Sequence, residues 1–161
     1  MKRNINLQSL SKDHHHGLLL GWKIRQGLKR GAALSVISEY VSYFAMMALF
    51  PHFEEEESVI LPFMTNDNEL KQRTIAEHKL IKELILLIGA DPKESCLIEL
   101  ADLIDQHIRF EERLLFPYLE SVLSGDDLLL IGEQLKENHH SFVDTYHDEF
   151  WKSSNEQEMS V

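Results

Sequence analysis

A single cysteine, Cys96, leaves this 161-residue chain no intramolecular disulfide. Positive charge is equally scarce. Sixteen Lys and Arg face 27 Asp and Glu, a formal net charge of −11. A surface that binds nucleic acid by displacing counterions with Lys and Arg is therefore not expected, nor is attachment to an anionic membrane. The N-terminal residues show no apolar stretch followed by a small-residue cleavage site, which with the lone cysteine predicts a cytoplasmic protein. The most apolar run, residues 41–50, falls well short of the ~20 residues a membrane span needs. Proline and glycine number four and seven and fall mostly in clusters. Between them apolar residues recur every three or four positions and rarely alternate, so the sequence reads as all-helical. Its length suits one domain with a core of its own, so that a bound metal would serve function rather than hold the fold.

Five helices are predicted. The first starts near Leu7 with an inward stripe of Leu7, Leu10, His14, Gly17, Gly21, Ile24 and Leu28, and closes at residues 27–31. A second covers about residues 32–64, its stripe reading Val41, Ala45, Leu49, His52, Glu56, Val59 and Phe63. After a turn at 66–68, a third carries Leu70, Thr74, His78, Ile81, Ile85 and Ile88 up to Gly89. Beyond the turn at 89–92, a fourth carries Leu100, Ile104, His107, Glu111, Leu114 and Tyr118, and residues 125–127 separate it from a fifth ending near Trp151. Short connections between long helices predict an up-down-up-down four-helix bundle over residues 1–151, with the additional C-terminal helix packed alongside or across one end and a disordered tail at 152–161.

Each of the four stripes is apolar except at one level, occupied by His14, His52 with Glu56, His78, and His107 with Glu111. Six imidazoles and carboxylates in a core cost several kcal/mol each unless they satisfy one another or hold metal. Residues i and i+4 share a helix face, so each His and Glu pair can address one site. The signal is reinforced by repetition: His52, Glu56, Glu57 and Pro62 recur at identical offsets as His107, Glu111, Glu112 and Pro117. In each copy an aromatic, Phe53 or Phe110, lies between the His and the paired Glu residues, and each copy follows a helix with one inward His. Three ligands would then surround each of two metals. On the first helix His15 competes with His14, since a one-residue shift turns the side chain by ~100°. The unbroken stripe and the preceding Asp13 favour His14.

With Leu10, Asp13 and His14 as an opening "Leu-x-x-Asp-His", Glu77-His78 on the third helix and two His-x3-Glu pairs, the sequence resembles the hemerythrin-like, HHE cation-binding family. That resemblance implies a bundle holding two iron ions with a bridging oxo or hydroxo group, manganese or zinc being the alternatives. It also implies His14, His52, Glu56, His78, His107 and Glu111 as the metal ligands, with Glu56 and Glu111 bridging, and a small diatomic ligand such as dioxygen or nitric oxide. Two departures point away from reversible oxygen carriage: Lys82 stands four residues beyond His78, where the carriers place a further histidine, and Glu111 stands where they use Asp one residue further along.

The expected function is a non-haem di-iron binding protein that senses, stores or handles iron, dioxygen or nitric oxide. An enzyme acting on peroxide, nitric oxide or damaged iron-sulfur centres and a metal-regulated interaction module are the alternatives. Glu55, Glu57 and Glu112 are read as outer carboxylates, and half of the acidic run 54–57 as a solvated face. Glu137 and His140 supply one Glu-x-x-His, where ferritin-like sites need two. Trp22, Met46, Met47 and the phenylalanines read as core or an apolar entry path, and Cys96 as a small buried hydrophobe.

Overall fold

The computed structural model describes residues 2–153 and 155–156, so the tail expected at 152–161 lies mostly outside the described residues. Helices are its only regular elements among those residues. A single turn at Ile5–Leu7 leads into α1 (Gln8–Lys29), which ends through Gly31 at φ +74°, a value that glycine reaches without steric penalty. The second helix, α2, spans Leu34–Phe63. Asn68 caps α3 (Glu69–Ala90), its side-chain oxygen accepting from the Leu70 and Lys71 amides. Next comes α4, running through Glu94–Phe110, Glu111–Leu115 and Phe116–Val122, and Ser124 caps α5 (Gly125–Asn138). Helix α1 packs on α4, α4 on α3, α3 on α2 and α2 on α1, while α5 lies over the Ile5–Leu7 turn and the stretch around Glu56.

Three wide π turns interrupt α2 and α4, at Ala45–Leu49, Glu56–Ile60 and Glu111–Leu115. Each is followed two residues later by a proline: Pro51, Pro62 and Pro117. A helical proline has no N–H to give, and its ring collides with the carbonyl four residues back. The chain relieves that collision by widening the turn before it. Phe50, Leu61 and Phe116 accordingly donate to the carbonyls of Ala45, Glu56 and Glu111, five residues back. The extra residue rotates everything downstream by ~100°. Leu115 and Leu119 are therefore fully buried where Leu114 and Tyr118 were expected, and Leu114 is half exposed. On α2, Ile60 and Leu61 join Val59 inside, as does Met64 just past its end, leaving Phe63 half-buried.

The core falls into two apolar clusters. One gathers Leu20, Ile24, Leu49, Phe53, Ile81, Ile104 and Ile108 with their neighbours; the other gathers Leu7, Leu10, Ile60, Leu61, Leu115, Phe116 and the α5 residues Leu128, Ile131 and Leu135. On every one of α1 to α4 the inward His and Glu residues sit between the two. By length and composition α2 could cross a bilayer, with 39% of its most apolar window buried. Its stripe lies in this core, as a core helix's does.

The fifth helix ends at Asn138, not near Trp151, and residues 139–148 run without helical turns. Phe142, Asp144, Tyr146 and Asp148 are half-buried while Val143, Thr145 and His147 are exposed, the period-two pattern of an extended segment. It leads to Phe150 and Trp151, which pack on Tyr40 in the first cluster. Asp144 accepts from buried Lys23 Nζ at 2.6 Å and from the Tyr40 hydroxyl; both partners hold its carboxyl below the usual range against the opposing effect of burial. Trp22 and Met46 are exposed rather than core, and Cys96 is half-buried.

Gly27 is where this segment meets α1. A Cβ there would stand 2.7 Å from the Phe150 ring and 3.1 Å from Ile37 Cδ1. Overpacking of this kind costs ~1–3 kcal/mol, against the ~1 kcal/mol that alanine gains over glycine in a helix. Gly27→Ala is expected to lower the melting temperature and to speed amide exchange at Phe150 and Trp151.

Candidate metal centre

Six side chains converge between the two apolar clusters: His14 from α1, His52 and Glu56 from α2, His78 from α3, His107 and Glu111 from α4. All six are buried, Glu56 and Glu111 completely. Their donor atoms form two overlapping groups compact enough to hold a metal ion: His14, His52, Glu56 and Glu111, and Glu56, His78, His107 and Glu111. Both carboxylates belong to both groups. His15 is exposed, so His14 is the residue of α1 that joins them.

Every histidine points Nε2 inward. His52 Nε2 lies 2.9 Å from Glu56 Oε1, His78 Nε2 3.0 Å from Glu56 Oε2, and His107 Nε2 2.8 Å from Glu111 Oε1. Close as they are, these three pairs lack hydrogen-bond geometry, and the three nitrogens and three oxygens are buried without a hydrogen-bond partner. Only His14 Nε2 is paired, with Glu111 Oε2 at 2.9 Å. Buried polar atoms are nearly always satisfied, so six orphans aimed at two points need an explanation. Cations at those points supply one.

Every Nδ1 meets an outer carboxylate. His14 pairs with Glu112 at 2.7 Å, His52 with Asp13 at 2.9 Å, His78 with Glu57 at 2.8 Å and His107 with Glu77 at 2.6 Å. A carboxylate on one ring nitrogen fixes the tautomer and leaves the other nitrogen's lone pair facing inward. Arg3 and Ser11 in turn hold Glu112, and Arg73 holds Glu77. Phe116 stacks on His14 and Phe53 on His78, which keeps both rings in plane. The roles of Asp13 and Glu77 were not read from the sequence. Their signal was the acid directly before each lone inward histidine, Asp13-His14 and Glu77-His78.

Burial by itself would lower the pKa of these imidazoles. Glu111 and Glu112 overcome that at His14, and Glu56, Asp13 and Glu111 do so strongly at His52. Against the same burial, Glu111 and Glu56 raise His78 to about 8, and Glu111 with Glu77 raises His107 to about 10. Conversely, and again against burial, His107, His14 and His78 hold Glu111 well below the carboxylate range. The metal-free site thus prefers protons where cations would sit.

The family model of the hemerythrin HHE cation-binding domain matches residues 7–119, which include all six residues of this cluster. The chain belongs to that family. No curated protein matches it. As an HHE domain it is a cation-binding protein, and its paired His and Glu groups are able to hold metal.

Of the outer glutamates, Glu57 and Glu112 hold histidines, Glu55 pairs with His139, and Glu54 is exposed. Glu137 is exposed on α5, with His140 beyond that helix's end, so the two do not form a helical Glu-x-x-His pair. His139 and His147 likewise lie beyond α5 rather than on it. Beside the cluster lies a cavity of about 190 Å³ lined by His14, His52 and His107 on one side and by Phe44, Leu49, Phe53, Ile81, Ile104, Ile108 and Phe142 elsewhere; exposed Met47 also contributes.

Proposed function

We propose that this HHE domain is an up-down-up-down bundle holding two iron ions, and that it senses, stores or handles iron, dioxygen or nitric oxide in the cytoplasm. One ion would be held by His14 and His52, the other by His78 and His107, and both by Glu56 and Glu111. The six inward atoms without hydrogen-bond partners carry the reading. Support for the topology comes from the order in which α1 to α4 pass alternately from one apolar cluster to the other. Imidazole and carboxylate donors suit iron, manganese and zinc, and family membership favours iron.

Bound iron would supply redox change and exchangeable coordination positions for a small ligand. The chain's own residues do the rest. Glu56 and Glu111 offset the ionic charge, the outer carboxylates hold the rings, and the largely apolar cavity offers a small molecule space against three of the histidines. Such a cavity against three of the histidines favours small-molecule handling over a purely metal-regulated interaction module.

The test is elemental analysis with visible spectra of the aerobic and dithionite-reduced protein. About two irons per chain and an absorption that bleaches on reduction support the reading. Protein from iron-replete cells that carries no metal overturns it. Glu77→Ala should weaken the His78/His107 position by roughly 10–100-fold, the usual effect of removing a carboxylate behind a ligand histidine. Competition with a chelator of known affinity would measure it.

A further inference from the structure

Three of the four outer carboxylates have a further side-chain partner: Arg3 for Glu112, Arg73 for Glu77 and His139 for Asp13. Of these partners only a histidine can also ligate a metal, and His139 is the one that lines the cavity. It lies just past the end of α5, with Nδ1 2.7 Å from Glu55 Oε2 and Nε2 3.3 Å from Asp13 Oδ1. Donor atoms of Asp13, Glu55 and His139 lie within 4.8 Å of one another, a spacing that could hold a metal ion. All three are half-buried, unlike the six residues of the inner cluster.

We infer that Asp13, Glu55 and His139 form a third cation site, at which a divalent first-row metal ion pauses on its way to the inner pair. The inference rests on the two-ion reading of that pair. Much of the cavity wall is apolar, and an unaccompanied cation does not cross such a wall. A ladder of donors runs past it. Asp13 presents Oδ1 to His139 while Oδ2 binds His52 Nδ1, and His52 Nε2 faces Glu56. Glu55 is the chain neighbour of Glu56. Two carboxylates and an imidazole on the half-buried part of the cavity lining attract a divalent ion, and their partial solvation keeps binding weak enough for release. In the ion's absence His139 bridges the two carboxylates, and swinging that one side chain makes room.

Calorimetric and absorption titration of the metal-free full-length protein with Co(II) tests this. Wild type is expected to take up about three ions per chain, the third weakest, and His139→Ala and Glu55→Gln each about two. Loading of the inner pair, followed by stopped flow, should slow roughly tenfold in both variants, as removal of a charged entry point predicts. Two ions in wild type and variants alike, loaded at equal rates, overturn the third site and leave the inner pair standing. One ion in wild type, lost in His139→Ala but kept in Glu111→Ala, supports the third site and removes the two-ion reading. No uptake at all overturns both.

Discussion

Replacing Glu111 with alanine is expected to empty both inner metal positions, whereas replacing His14 should empty only one. Glu111 is shared: Oε2 lies 2.9 Å from His14 Nε2, and Oε1 lies 2.8 Å from His107 Nε2 and 3.6 Å from His78 Nε2. Its loss removes an anionic donor from each position and leaves Glu56 alone against two divalent ions. His14→Ala removes one neutral donor from the position it shares with His52, and the His78/His107 position keeps all its atoms. Elemental analysis should read close to no metal for Glu111→Ala and about one ion for His14→Ala. In the metal-free chain, Glu111→Ala also strips a fully buried carboxylate from three imidazoles, and breaking a buried charge pair costs about 3–5 kcal/mol. Glu111→Gln keeps the shape and separates that instability from the loss of metal. Two ions retained by folded Glu111→Ala would show that the carboxylate is not shared.

The inner cluster was legible because its spacing and the fold's period agree. Helical steps of three and four put His14, His52, Glu56, His78, His107 and Glu111 on inward stripes, and the structure buries all of them. Below the ligand level on α2 and α4 the same period failed. The π turns begin at Glu56 and Glu111 themselves, so the stripe is correct down to the glutamate and slips one residue beyond it. The prolines that cause the slip were visible in the repeated His-x3-Glu-Glu-x4-Pro pattern, although the pattern alone does not give a turn's width.

The segment after α5 misled for another reason. Phe142, Tyr146 and Phe150 are spaced by four, which is one helical turn and also two strand repeats. Half-buried Asp144, held by Lys23 and Tyr40, breaks the tie, because in a helix it would lie away from the other three. Asp144, Thr145 and Asp148 between the aromatics are also weak helix formers. The partners of Asp13 and Glu55 were not legible at all, because His139 reaches them across the fold, at the end of a helix whose true end the sequence did not reveal.

The metal-free protein is expected to lose stability as pH rises, and the stabilisation conferred by metal to grow over the same range. His78 and His107 titrate at about 8 and about 10 in the fold, above their ordinary value of 6.5. A base whose folded pKa is raised binds its proton more tightly folded than unfolded. Its contribution is complete below pH 6.5 and is lost as pH climbs through the folded values. His14 and His52 are shifted in the same direction. At about 1.4 kcal/mol per pKa unit, the loss between pH ~6 and ~9 is on the order of a few kcal/mol, a large share of a domain's stability. At the acid end the sign reverses. Glu112, held near 2 by His14, Ser11 and Arg3 against burial, and Glu111, held lower still than its ordinary range, stabilise the fold above their unfolded values near 4.5 and lose that contribution as pH falls through the folded ones. Greatest metal-free stability should therefore lie between about pH 4.5 and 6.5. Metal occupies the points that the protons vacate, so metal binding releases protons and strengthens as pH rises. Chemical denaturation with and without chelator at several pH values measures both curves. Parallel curves would mean that these histidines do not exchange protons for metal.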